Sequence, residues 1–164
     1  MVQAGIVLVI ALLSGVDQWI KAAVIKHLEP IGTSPLIDGF IRLHYVENTG
    51  AIFGSMRGNT VALAILTGVI IVVALYLLLS KRIQPVFLRV CMMLVTAGGV
   101  GNLIDRVFRG YVIDYIEFEF VHFAIFNFAD CLVTVGAFSI IGYLIFDLVK
   151  DIRKAKNDKQ NIPG

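Results

Sequence analysis

The chain has 164 residues, 58% of them hydrophobic and only 16% charged, with a formal net charge of +2 and a mean hydropathy of +0.86. Soluble domains average about 45–50% apolar and about 25% charged. So few polar groups cannot cover a water-facing surface, which excludes an ordinary soluble domain, a disordered chain, a collagen-like chain and a disulfide scaffold.

Four apolar segments follow in chain order, each long enough to cross about 30 Å of hydrocarbon as a helix. The first, about 4–25, carries Asp17 and Lys21 four residues apart, on one helix face as a possible ion pair. An interfacial pair that sets the helix position and a substrate contact are both open readings. The stretch before Ser14 holds no Lys or Arg and no A-x-A site follows, so the segment reads as a span rather than a cleaved leader. In 40–46, Ile41, Leu43 and Tyr45 alternate with Arg42 and His44, the pattern of a half-buried strand. Asn48-Thr49-Gly50-Ala51-Ile52-Phe53-Gly54 then reads as a turn rich in small residues.

The second segment, 58–80, has no charge, and the third, 86–104, has only Arg89 near its start. The third ends in Gly98-Gly99-Val100-Gly101-Asn102, where small residues suit close helix packing. Asp105 lies one turn beyond Asn102, with Arg106 next, the makings of a hydrogen-bonded polar network. The strand pattern recurs in 111–120, with Ile116, Phe118 and Phe120 opposite Glu117 and Glu119, and Asp114 on the apolar parity. The fourth segment, about 126–149, carries Asn127 and Asp130 one turn apart near its start. Cys91 and Cys131 lie in apolar segments without metal or redox spacing and read as small core residues. His27, His44 and His122 are scattered and read as interfacial polar residues.

The expected fold is an all-α membrane protein, a single domain over 1–164, with four transmembrane helices and a small extracytoplasmic β element. The tail 150–164 holds five basic and two acidic residues and reads as a cytoplasmic anchor, not a nucleic-acid patch. With Lys81, Arg82 and Arg89 it places both termini in the cytoplasm, and the connections 26–57 and 105–125 outside. Asp114 and Asp130 then meet at the outer membrane boundary. Ionisable groups there are costly and mark function. Two carboxylates in a partly dry site share one proton, so one acts as base and the other as acid, which suits activation of water for attack on an amide. A small proton- or cation-coupled carrier accounts for the same residues, and so does a non-enzymatic anchoring subunit.

Five ordered blocks together resemble the lipoprotein signal peptidases, the type II signal peptidases of bacteria. They are Asp17-Gln18-Trp19-Ile20-Lys21; the Asn48–Gly54 turn; Gly98 to Arg106; Val112-Ile113-Asp114-Tyr115; and Phe126-Asn127-Phe128-Ala129-Asp130. The resemblance implies a membrane-embedded aspartyl endopeptidase with Asp114 and Asp130 as catalytic dyad. It implies Asn48, Asn102, Asp105, Arg106 and Asn127 as the polar shell that positions dyad and substrate, with Asp17 and Lys21 as a further block. It also implies a prolipoprotein substrate already carrying diacylglycerol on a cysteine, cleavage just before that cysteine, contact with membrane lipid, no metal or other cofactor, and inhibition by globomycin-type antibiotics. Ala97, Gly99, Ile52 and Tyr115 depart from the family's usual residues without removing a chemical group assigned a role.

Overall fold

The computed structural model describes residues 2–50, 59–80 and 82–160. Ala51 to Gly54 of the second block, Gly58 at the expected start of the second span, Lys81 and the tail beyond Gln160 lie outside the described residues. Among the described residues four helices form, α1 (Val2–His27), α2 (Thr60–Leu79), α3 (Val86–Phe108) and α4 (Phe128–Gln160), with three strands, β1 (Thr33–Ile37), β2 (Ile41–Asn48) and β3 (Val112–Phe118). Each helix is long and apolar enough to cross a membrane. The fold is therefore a four-helix, multi-pass membrane protein with a small antiparallel sheet.

The helices outlast the apolar runs that announce them. α3 continues four residues past the expected end, because Asp105 and Arg106 find partners inside the protein and nothing up to Phe108 breaks a helix. It stops at Arg109, whose N–H donates to the Asp105 carbonyl, and at Gly110, whose φ of +82° is the left-handed cap glycine tolerates. α4 starts at Phe128, leaving Asn127 outside as its cap, and runs on through the charged residues after Val149. Lys, Arg and Ala there are good helix formers, so the helix needs no apolar face to continue.

The sheet has the order β1-β2-β3, antiparallel throughout. β2 and β3 match the two alternating patterns. β1 has no such pattern and contains Pro35; it exists because a turn at Gly39, with φ +70°, folds it back on β2, and proline is tolerated at a sheet edge. In the β2–β3 register Val46 faces Asp114 and Asn48 faces Val112. Asn48 and Asp114 are thus diagonal neighbours on one sheet face.

α3 is the central helix and packs on the other three. Its glycines permit this: a Cβ on Gly98 would strike the Ala129 carbonyl of α4, and one on Gly101 would strike the Asp17 carboxylate. Close helix packing is therefore what the small-residue stretch serves. Two apolar clusters hold the bundle. One, around Ile6, Ile10, Leu78 and Ala97, lies toward the tail end; the other, around Val24, Leu28, Ile113 and Tyr115, lies toward the sheet. Between them sits a buried polar layer.

Candidate active site

The site grows from the N-terminus of α4. The first four N–H groups of a helix have no intrahelical acceptor, and here all four are satisfied by side chains. Asn127 N–H donates to Asp130 Oδ2 at 3.1 Å, and Asp130 N–H donates back to Asn127 Oδ1 at 2.9 Å. This reciprocal pair is a capping box built from Asn and Asp. Phe128 N–H donates to the Tyr115 hydroxyl at 3.2 Å, and Ala129 N–H to Asp17 Oδ1 at 3.1 Å. Asp130 is therefore placed by the helix start itself, and the Asp17 carboxylate meets the positive end of the helix dipole.

The second carboxylate comes from the sheet. Asp114 on β3 is 2% exposed and accepts from Asn48 Nδ2 at 2.8 Å and Asn127 Nδ2 at 2.6 Å. Asp130 is only half-buried and accepts from Asn102 Nδ2 at 2.8 Å. Asn127 also donates to Asn102 Oδ1 at 3.1 Å, so three asparagines tie the two carboxyl groups into one network. Burial first, and then the charge of Asp130, pushes the Asp114 carboxyl up to about 7, although the Asn48 and Asn127 donors pull it down.

A fully buried ammonium braces the network from behind. Lys21 Nζ contacts Asp105 Oδ2 at 2.8 Å, Asn102 Oδ1 at 2.9 Å and Asp17 Oδ2 at 3.0 Å. The ion pair expected from the i, i+4 spacing is present, and it lies inside the bundle at 0% side-chain exposure rather than at an interface. Because the Asn102 carbonyl oxygen faces Lys21, its amide nitrogen must face Asp130. Asp105 also accepts from the Ile113 N–H at 3.2 Å and pairs with Arg109, which pins β3 to α3. Arg106 Nη2 donates to the Gly50 carbonyl at 3.4 Å; among the described residues it makes no hydrogen bond to either aspartate and its buried Nε has no acceptor.

The nine nominated residues thus converge at the sheet end of the bundle. Three further contributors escaped the sequence reading. Gln18 donates to Asp17, Asp105 and the Gly101 carbonyl and accepts from Arg109 Nη1 at 3.1 Å. Gln18 lies in the first resembling block but carries no charge to single it out, and Arg109 lies beyond the third apolar segment, where a charge is cheap. Tyr115 was visible only as a departure from a usual residue, yet its hydroxyl caps α4. On the sheet, Arg42 and His44 both meet Glu117 Oε2 at 2.8 Å, and these donors hold its carboxyl below the usual range.

Comparison with known proteins places these features in context. The family model described as signal peptidase (SPase) II matches residues 9–146. A lipoprotein signal peptidase of Enterococcus faecalis is 37% identical over 150 residues, covering 92% of this chain and 92% of that protein. Another, of Caldanaerobacter subterraneus, is 39% identical over 139 residues, covering 85% of this chain and 94% of the relative. A solved structure described as a bacterial membrane enzyme, obtained by the in meso method, superposes with a TM-score of 0.80 at 30% identity, covering 88% of this chain and 90% of its own.

Proposed function

The chain belongs to the signal peptidase II family, and from that premise we propose that it is an aspartyl endopeptidase that removes the signal peptide from diacylglyceryl-modified prolipoproteins. Membership makes it a protease acting on lipoprotein precursors. Asp114 and Asp130 share one proton. The ionised carboxylate takes a proton from a water, and the resulting hydroxide forms a bond to the scissile carbonyl carbon. The protonated carboxyl gives its proton to the carbonyl oxygen, leaving a neutral tetrahedral diol. The C–N bond then breaks as the diol returns one proton to a carboxylate and the other carboxyl protonates the leaving amine of the lipidated cysteine. Asn48, Asn102 and Asn127 hold both carboxyl groups in place, and Arg106 faces the substrate backbone.

The observation that carries this reading is the linkage of two carboxyl groups, one buried and one half-open, by the single residue Asn127, whose side-chain amide donates to Asp114 and whose backbone N–H donates to Asp130. The orientation belongs to the same proposal: sheet and dyad outside, tail in the cytoplasm. A lipidated signal helix then presents its scissile bond at the membrane edge while its acyl chains stay in lipid. The carrier reading is disfavoured because the buried carboxylates gather at one end and α2 carries no charge.

The decisive experiment incubates purified protein with a diacylglyceryl-modified precursor. Asp114→Asn and Asp130→Asn should each lower the cleavage rate by about 10²–10⁴-fold, the scale of a lost acid–base group, with the fold retained by thermal unfolding. Normal processing by either folded variant would overturn the dyad assignment. Globomycin-type inhibition of the wild type is expected in the same assay.

A further inference from the structure

At the end of the bundle away from the dyad, α1 and α3 leave a groove of about 360 Å³ between them. Its walls are apolar: Val2, Ile6 and Val9 from α1, and Val86, Val90 and Met93 from α3. One charged side chain enters it, Arg89, four residues into α3. Its Nε is buried and has no hydrogen-bond acceptor among the described residues. At 1.5 Å rise per residue the groove lies about 20 Å along α3 from Asn102, so it is no part of the site described above.

A half-buried guanidinium in the first turn of a membrane-spanning helix sits at the interface, where an anion is a favourable partner. The helices around it do not offer one. α1 has no acidic residue before Asp17, α2 has none, and α3 has none before Asp105. Asp147 and Asp151 of α4, at the same end, are exposed. The neighbouring Arg82 is engaged elsewhere, 5.7 Å over the Tyr76 ring. A guanidinium whose Nε has no acceptor among the described residues, beside an apolar groove, matches an amphiphile with an anionic head and a hydrocarbon tail. Guanidinium is also the side chain best shaped for bidentate contact with a phosphate.

We propose that this groove binds an acidic glycerophospholipid of the leaflet at the tail end, with its phosphate on Arg89 and one acyl chain along α1 and α3. The basic residues Lys150, Arg153 and Lys154 of α4 lie at the same end and raise the local concentration of anionic lipid. The site holds the α1–α3 seam closed at the end opposite the dyad.

The test measures lipid retention by native mass spectrometry and unfolding temperature in a neutral detergent, with phosphatidylglycerol, phosphatidylcholine of the same acyl chains, or inorganic phosphate added. The wild type should retain phosphatidylglycerol about tenfold more strongly than phosphatidylcholine and be stabilised by it alone. Arg89→Gln should bring the two lipids level, while Arg82→Gln should not. If Arg89→Gln fails to fold, Gly5→Leu decides the matter: a Cβ there meets nothing within 4 Å, so the added side chain fills the groove and should displace the lipid. Undiminished preference for phosphatidylglycerol in Arg89→Gln or Gly5→Leu overturns the proposal, and so does equal protection by inorganic phosphate, which would indicate a free-anion site. No precursor is used, so the outcome is independent of the peptidase reading.

Discussion

At the scale of single residues, the proposed dyad makes the protonation of Asp114 the source of the pH response. Its carboxyl is raised from an ordinary 3.8 to about 7, so it holds a proton below that pH and loses it above. A dyad that works with one shared proton should lose kcat/KM as pH rises through about 7. The Asn48 donor favours the ionised form, so Asn48→Ala should move that alkaline limb to higher pH as well as lowering the rate. A limb unmoved in Asn48→Ala would detach it from Asp114. The same shift makes the contribution of Asp114 to stability fullest below about 3.8 and lost as pH rises through about 7. Tyr115→Phe leaves the Phe128 N–H without its acceptor and should cost about 1–3 kcal/mol, read from chemical unfolding in detergent. The carboxylates and asparagines were legible because polar groups are rare and expensive in apolar sequence. Gln18 and Tyr115 were not, because an uncharged amide or a phenol hydroxyl does not stand out until its partner, far along the chain, is known.

At the scale of elements, the spacing of α3 and α4 rests on missing side chains. A Cβ on Gly98 meets the Ala129 backbone carbonyl, one residue from Asp130. Gly98→Ala must push α4 away, so stability should fall by about 1–3 kcal/mol and cleavage should fall with it. Gly142→Ala meets nothing within 4 Å and should leave both unchanged or slightly raise stability through helix propensity. Equal behaviour of the two variants in thermal unfolding would contradict this packing account. The spans were legible from hydropathy and β2 and β3 from alternation. The helix ends were not, since Asp105 at the end of an apolar run looks like a stop until Lys21 and Arg109 are seen beside it. β1 was invisible because its place is fixed by pairing with β2 rather than by its own residues.

At the scale of the whole molecule, much of the apolar surface faces outward, including Val61, Phe138 and Phe146 at 74%, 71% and 68% exposure. Lipid covers what water cannot. The proposed orientation predicts that a cysteine at Lys156 is labelled by membrane-impermeant reagent only from the cytoplasmic side, and one at Glu29 only from the other; the reverse pattern would invert the topology. Lys21→Met would leave Asp17 and Asp105 buried without their shared cation and should destabilise the bundle by about 3–5 kcal/mol, measured against the detergent-solubilised wild type. That cation also enters a wider tally. Among the described residues, the polar layer and its rim contain four carboxyl groups, Asp17, Asp105, Asp114 and Asp130, and three cations, Lys21, Arg106 and Arg109. Fully ionised, the cluster carries one surplus negative charge, and a single proton makes it electroneutral. In a poorly polarisable interior the neutral state is the cheap one. On the proposed mechanism, the lone proton of the dyad is the one the surrounding charges demand, held by the balance of the whole cluster rather than by Asp114 and Asp130 alone.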